Sequence, residues 1–212
     1  MTTAMRIPSS GKHSPRRTQA ERSAATLRKI IDAVVAVIAE EGFAQASAHR
    51  IAQRAGVTWG AVQYHFGAKA DILDAVLAEG LERFERCVRD LALDGRPLAE
   101  RVTLLVDCSW EYYCSPHYRA MLEIALNSRR GESHDRPEPH QRFAEAVSQV
   151  WSKALADVDL CLARRIQAER FAWSALSGLA VQAMLQGSPL RLHQELEILK
   201  SATLRLLTQP AD

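Results

Sequence analysis

Between Ser47 and Gln63 the chain gathers side chains able to grip and read a nucleic acid. Thr58 and Ala61 each carry a methyl group that can touch a thymine methyl, and Gln63 can form a bidentate pair with adenine or contact the backbone directly. Trp59 can lie along a sugar-phosphate or pack against a neighbouring helix. Ser47, His49 and Arg50 sit where they can hold the other wall of a groove. Arg16, Arg17 and Arg22 of the leading arm can enter a minor groove or serve as a solubilising tail.

Cys108, Glu111, Cys114 and His117 offer metal or thiol chemistry, since spacings of three and six bring side chains partly to one helix face. Pro116 breaks that helix, however, and the apolar setting suits buried structural cysteines, so no metal is expected. Cys87, Cys108, Cys114 and Cys161 show no Cys-x-x-Cys spacing. A chain of 212 residues can build its core without staples, which predicts reduced thiols and a cytoplasmic setting. No Gly-x-x-x-x-Gly-Lys, His-Glu-x-x-His or Gly-rich strand-to-helix turn is present, so neither an enzyme nor a cofactor is predicted.

These residues need elements to position them. The pattern Leu27, Ile30, Ile31, Val34, Val35 and Ile38 marks one face of a helix, which Gly42 ends in a left-handed cap with Phe43 folding onto the core. Ser47 is a good cap for a short second helix whose Ile51, Ala52 and Ala55 face inward. Gly56 closes it, and Thr58 caps a third helix from about Trp59 to His65. Two short helices joined by a Gly-containing turn are a DNA-binding arrangement. A long helix begins near Lys69, with Ile72, Val76, Gly80, Phe84 and Val88 on one face. Its N-terminus offers free N–H groups and a positive dipole to a phosphate.

Further helices follow over about 98–114, 140–156, 159–186 and 191–208, with one restarting at Ser115-Pro116 and a break at Gly187-Ser188-Pro189. The segment Arg129 to Pro139 reads as a loop. No stretch alternates with period two, so the fold is predicted all-α with about nine helices. Residues 1–20, rich in Ser, Pro and basic side chains, are predicted to form a disordered basic arm. Residues 21–68 then make a helix-turn-helix domain, and 69–212 a larger helical domain. Net charge is +2. Residues 1–69 hold ten Lys or Arg against four acids, for +6, which leaves −4 behind them. A basic front suits a polyanion. No apolar run reaches the roughly 18 residues a membrane helix needs.

The run Ser47-Ala-His-Arg-Ile-Ala-Gln-Arg-Ala-Gly-Val-Thr-Trp-Gly-Ala-Val-Gln-Tyr-His-Phe, continued to Lys69, resembles the TetR family of one-component regulators. The Ile-Ala pair, Ala-Gly-Val, the turn Thr, the His-Phe pair and Lys69 coincide. That resemblance implies a homodimer with three N-terminal helices for a double-stranded DNA operator and a helical half that senses a small ligand. It also implies that Tyr64, His65 and Lys69 hold the phosphate backbone. For His65 the alternative is a structural hydrogen bond. Most relatives resembling this chain carry tyrosine where Gln63 stands, which points to an operator preference of its own.

In the back half, an aromatic-rich set suits an apolar pocket with a few polar anchors. Its members are Trp110, Tyr113, Tyr118, Met121 and Leu122, with Phe143, Val147, Trp151 and Phe171 further on. A small hydrophobic or aromatic effector is predicted, with the polar loop 129–137 as entrance. The resemblance implies that the last two helices pair with their mates, which assigns Trp173, Leu176, Leu179, Leu196 and Leu199 to a dimer interface. A dimer also follows from specificity, because one recognition helix reads too few base pairs. The function predicted is a ligand-responsive repressor released from a palindromic operator. The rival readings are an architectural DNA-binding protein without effector and a helical enzyme.

Overall fold

The computed structural model describes residues 18–66, 69–127, 139–186 and 192–209, and every regular element among them is helical. The expected arm (most of 1–20), the loop over 129–137 and the Gly187-Ser188-Pro189 break lie outside the described residues. Helix α1 (Gln19–Glu41) opens with a capping box: Glu21 N–H donates to Thr18 Oγ1 at 3.2 Å, and Thr18 N–H donates to Glu21 Oε2 at 2.7 Å. Its Ile30, Val34, Val37 and Ile38 are fully buried. Gly42 ends α1 with φ 91° and ψ 158°, so the left-handed helical cap read from sequence is not formed. The chain instead leaves extended into a 3₁₀ turn over Phe43–Gln45, where Phe43 packs on the core.

Helix α2 (Ala48–Ala55) is capped by Ser47, whose Oγ accepts from Arg50 N–H, and is closed by Gly56 in the left-handed region. Helix α3 (Trp59–Phe66) starts where Thr58 Oγ1 accepts Ala61 N–H at 3.2 Å. Neither eight-residue helix would persist alone in water. Burial of Ile51 holds α2 onto α1, and burial of Val62 and Phe66 holds α3 against α2 and α4, each side chain contributing about 1.5–3 kcal/mol.

Helix α4 (Lys69–Arg89) follows, then α5 (Leu98–Tyr113) and α6 (Pro116–Asn127). Ser115 Oγ accepts Tyr118 N–H at 3.2 Å, as expected of the residue before a proline at the first helical position. Helices α7 (Pro139–Ala154), α8 (Leu162–Gln186) and α9 (His193–Thr208) complete the described chain. Helix α1 packs against α4 and α6 as well as α2, and α4 touches α5, α6 and α7, so α4 runs between the front helices and the rear ones. Buried Arg101 of α5 ties the rear together, donating to both carboxylate oxygens of Asp157 and to Ala154 O.

Cys87 of α4 and Cys108 of α5 are joined in a disulfide, with Cα atoms 6.4 Å apart, while Cys114 and Cys161 are free thiols. This corrects the expectation of four reduced thiols. The two partners stand 21 residues apart, and only the packing of α4 on α5 brings them together. Among the described residues no helix is long and apolar enough to cross a membrane.

Candidate functional site

The front surface is built on α3. With Val62 and Phe66 turned into the core, Tyr64 (84 % exposed) lies on the opposite side of that helix, and Trp59 (46 % exposed) and Gln63 are also open to solvent. Rings of that size left open on a helix following a capped turn suit a partner surface better than a solvated one. His65 is half-buried, its ring meeting that of Tyr64 edge-on at 5.3 Å, and Ala61 is half-buried. Thr58 is exposed; its hydroxyl caps α3, which leaves its methyl group for contact.

Ser47 and His49 are exposed at the start of α2. Arg50 is engaged: Nη2 lies 2.6 Å from Glu41 Oε1, Nε donates to Glu41 Oε2 at 3.0 Å, and Nη1 donates to Gln53 Oε1 at 3.0 Å. Arg54 makes a parallel pair with Glu40 at 2.7 Å. Both arginines of α2 are therefore held by the acidic end of α1, an arrangement the front half's net charge of +6 conceals. Lys69 begins α4, and its side chain lies outside the described residues.

The rear helices hold a cavity of about 200 Å³ lined by Tyr118, Met121, Leu122, Ala125, Phe143, Trp173 and Ser177. Four expected pocket residues, Tyr118, Met121, Leu122 and Phe143, meet here. Tyr113 lies behind Tyr118, ring centroids 4.3 Å apart. Ser177 is a hydrogen-bond partner of both phenols, and burial pushes both up from the ordinary tyrosine value, Tyr113 well up. They stay neutral throughout the physiological range. Trp173 Nε1 is buried without a hydrogen-bond partner. Val147 and Trp151 are buried in the core away from the cavity, and Trp110 is half-buried against that core.

Phe171 is 40 % exposed and faces a groove between α8 and α9 with Ile198 and Leu206. Among the residues assigned to a dimer interface, Trp173 lines the cavity, while Leu176, Leu196 and Leu199 are buried in the chain's own core. Leu179 is half-buried. The outward stripe of α8 is Phe171, Ser174, Gly178, Val181 and Leu185, at helical spacings of three and four, all exposed. Ser177 escaped the sequence reading although it lies four residues beyond Trp173, on the same face of α8.

Rings connect the cavity to α4. Phe143 stacks on Tyr112 at 5.9 Å and packs against Phe84 of α4 at 5.6 Å, and Phe84 meets Tyr112 at 5.2 Å.

Residues 30–76 match the profile of the bacterial regulatory proteins of the tetR family. The HTH-type transcriptional regulator SrpR of Pseudomonas putida is 32 % identical over 157 residues, 68 % of either chain. The HTH-type transcriptional regulator CymR of the same organism is 28 % identical over 178 residues, 81 % of this chain and 85 % of that one. A transcriptional regulator from Rhodococcus sp. Rha1 shares the fold with a TM-score of 0.68 at 20 % identity, over 87 % of this chain and 99 % of that one.

Proposed function

The chain belongs to the TetR family of DNA-binding transcriptional regulators rather than to any class of enzyme, and from that premise we propose that it is a cytoplasmic homodimeric repressor released from a palindromic operator by a small aromatic effector. The division is a DNA-binding head over 21–68 and a sensor and dimerisation body over 69–212. In the head, Trp59 and Gln63 give α3 its sequence preference in the major groove, while Tyr64, His65 and Lys69 hold phosphates. The outward stripe of α8 with Ile198 of α9 supports dimerisation, because Gly178 and Ser174 between Phe171 and Val181 allow two such helices to approach closely.

The observation that carries the effector reading is the cavity of about 200 Å³ at Trp173. Drug-sized ligands occupy about 300–1,000 Å³, whereas about 150 Å³ of apolar space holds benzene. The room thus suits a single-ring molecule. The unpartnered Trp173 N–H favours one with a hydrogen-bond acceptor. An effector pressing on Tyr118 and Phe143 moves the ring cluster against Phe84, and so moves α4 and the head. It shifts the balance only by binding the released state better.

The test is selection of genomic fragments bound by the full chain, followed by release with single-ring aromatics. Binding to one short palindrome, relieved by a compound whose effect is lost in Trp173→Phe, is the expected result. Tight operator binding that no apolar compound relieves would overturn the effector reading in favour of an architectural protein. If Gln63→Ala lowers affinity equally for every operator variant, Gln63 contacts backbone and does not read a base.

A further inference from the structure

Where α1, α4 and α6 meet, Asp32, Glu79 and His117 each bring a ligand atom to within 4.8 Å of the others. They come from three different helices, 47 and 38 residues apart, so no sequence spacing announces them. Asp32 is exposed, whereas Glu79 and His117 are half-buried. The Nε2 atom of His117 is buried and has no hydrogen-bond partner. An imidazole beside two carboxylates with one ring nitrogen withdrawn from water and unpaired is an incomplete site, since buried polar atoms normally find partners.

A cation already stands at its edge. Arg83 Nη2 lies 2.6 Å from Glu79 Oε1 and 3.8 Å from Asp32 Oδ1. Its side chain is 42 % exposed, so the guanidinium can turn into water without breaking the core.

We propose that Asp32, Glu79 and His117 form a binding site for a first-row divalent metal ion, with zinc the best match, which takes the place of the Arg83 guanidinium. One imidazole and two carboxylates suit zinc, manganese or ferrous iron, and the absence of thiolate argues against cuprous copper. Two carboxylates neutralise the dication once Arg83 has withdrawn. Zinc binds such ligands at about 2.0–2.2 Å in tetrahedral array, which sets them about 3.3–3.6 Å from one another. Closing from 4.8 Å or less asks for a shift of roughly 1.5 Å at most, within reach of rotamer changes in Asp32 and Glu79. Three protein ligands leave a fourth position for water, so the ion is exchangeable. Because the site fastens α1, the first helix of the head, to α4 and α6, its occupancy ties operator affinity to the ion as well as to the effector.

The experiment is calorimetric titration of the chelator-stripped full chain with zinc chloride, without DNA, so its failure leaves the regulator reading standing. One zinc per chain is expected, retained when both free thiols are removed in Cys114→Ser/Cys161→Ser. Asp32→Asn and His117→Gln should each weaken binding at least tenfold. Arg83→Gln removes the competing cation on an exposed face and should tighten it several-fold, whereas a purely structural role for the cluster predicts no gain. At a hundredfold excess over Kd, zinc should raise Tm by roughly 5–10 °C. Absence of stoichiometric zinc, its loss with the thiols, equal affinity in His117→Gln, or weaker binding in Arg83→Gln would each overturn the proposal. Circular dichroism of each variant separates a lost site from a lost fold.

Discussion

Gly80 sits in the buried face of α4, where a Cβ would lie 3.0 Å from Tyr112 Oη. Tyr112 is 6 % exposed and held among the rings of Phe84, Tyr118 and Phe143, so its hydroxyl has nowhere to retreat. Overpacking of this kind costs about 1–3 kcal/mol. Replacing a helical glycine by alanine returns about 0.8–1 kcal/mol. Gly80→Ala should therefore destabilise by about 0–2 kcal/mol, lowering Tm by up to about 8 °C in a chain of this length. The hydroxyl itself has no hydrogen-bond partner, and such a buried group costs about 1–3 kcal/mol. Tyr112→Phe should then stabilise. In that background the obstructing oxygen is gone, and adding Gly80→Ala should gain about 0.8–1 kcal/mol, or roughly 2–4 °C. The sign of one substitution thus reverses with the other. Thermal melts and urea titrations of the four proteins measure the cycle. Equal effects of Gly80→Ala in both backgrounds would refute the contact and the reasoning built on it.

Glu41 holds Arg50 in an ion pair, and on the reading that Arg50 grips the DNA, Glu41→Gln should release it to a phosphate. Expected are tighter operator binding and a salt slope of log K steeper by up to about 0.9 per protomer, read by fluorescence anisotropy over a salt series. An unchanged slope means Arg50 stays off the DNA. Among the free thiols, Cys161 is drawn below its ordinary value by the backbone N–H groups of Arg164 and Ala163, while burial pushes the Cys114 thiol up. Thiolate, the reactive form, therefore persists to lower pH at Cys161 and appears only at higher pH at Cys114. Mass-spectrometric rates of iodoacetamide labelling between pH 7 and 9 should show Cys161 reacting first, with a lead that widens as pH falls. A lead that narrows would contradict the sign.

Features set by neighbours in sequence were legible. Ser47, Thr58 and Ser115 cap the helices expected of them, because a cap is a bond between residues three apart. The inward faces of α1 and, at Ile51 and Ala52, of α2 follow from periodicity alone. Periodicity says that a residue lies on an apolar face, not which neighbour that face meets. Trp173 and Phe171, two residues apart, point to different sides of α8, one into the cavity and one into the outer groove. Leu176, Leu196 and Leu199 read as interface because leucines at helical spacing look alike in core and contact. Pairings across helices had no local signal: Cys87 with Cys108, Arg50 with Glu41, Asp32 with His117.

On the proposed reading, the placement of α4 lets a small event in the rear govern binding at the front. At 21 residues it spans about 32 Å, and it is clasped midway by Phe84 and Gly80 against the ring cluster. A tilt of about 5° about that clasp displaces each end by only about 1–2 Å, the scale of helix shifts that packed interfaces amplify. In a two-fold dimer the heads move in opposite senses, so the error in their spacing doubles against successive major grooves about 34 Å apart. The front end of α4 does not move alone, because Phe43, between α1 and α2 of the head, donates its N–H to Glu123 Oε2 of α6 at 2.7 Å. The head is thus held to the rear by α4 on one side and by α6, through its packing on α1 and this bond, on the other. A tilt of α4 with α6 fixed then turns the head about its seat on α6 rather than carrying it rigidly. Rotation changes the angle at which α3 enters its groove, a stricter condition for base contact than distance alone.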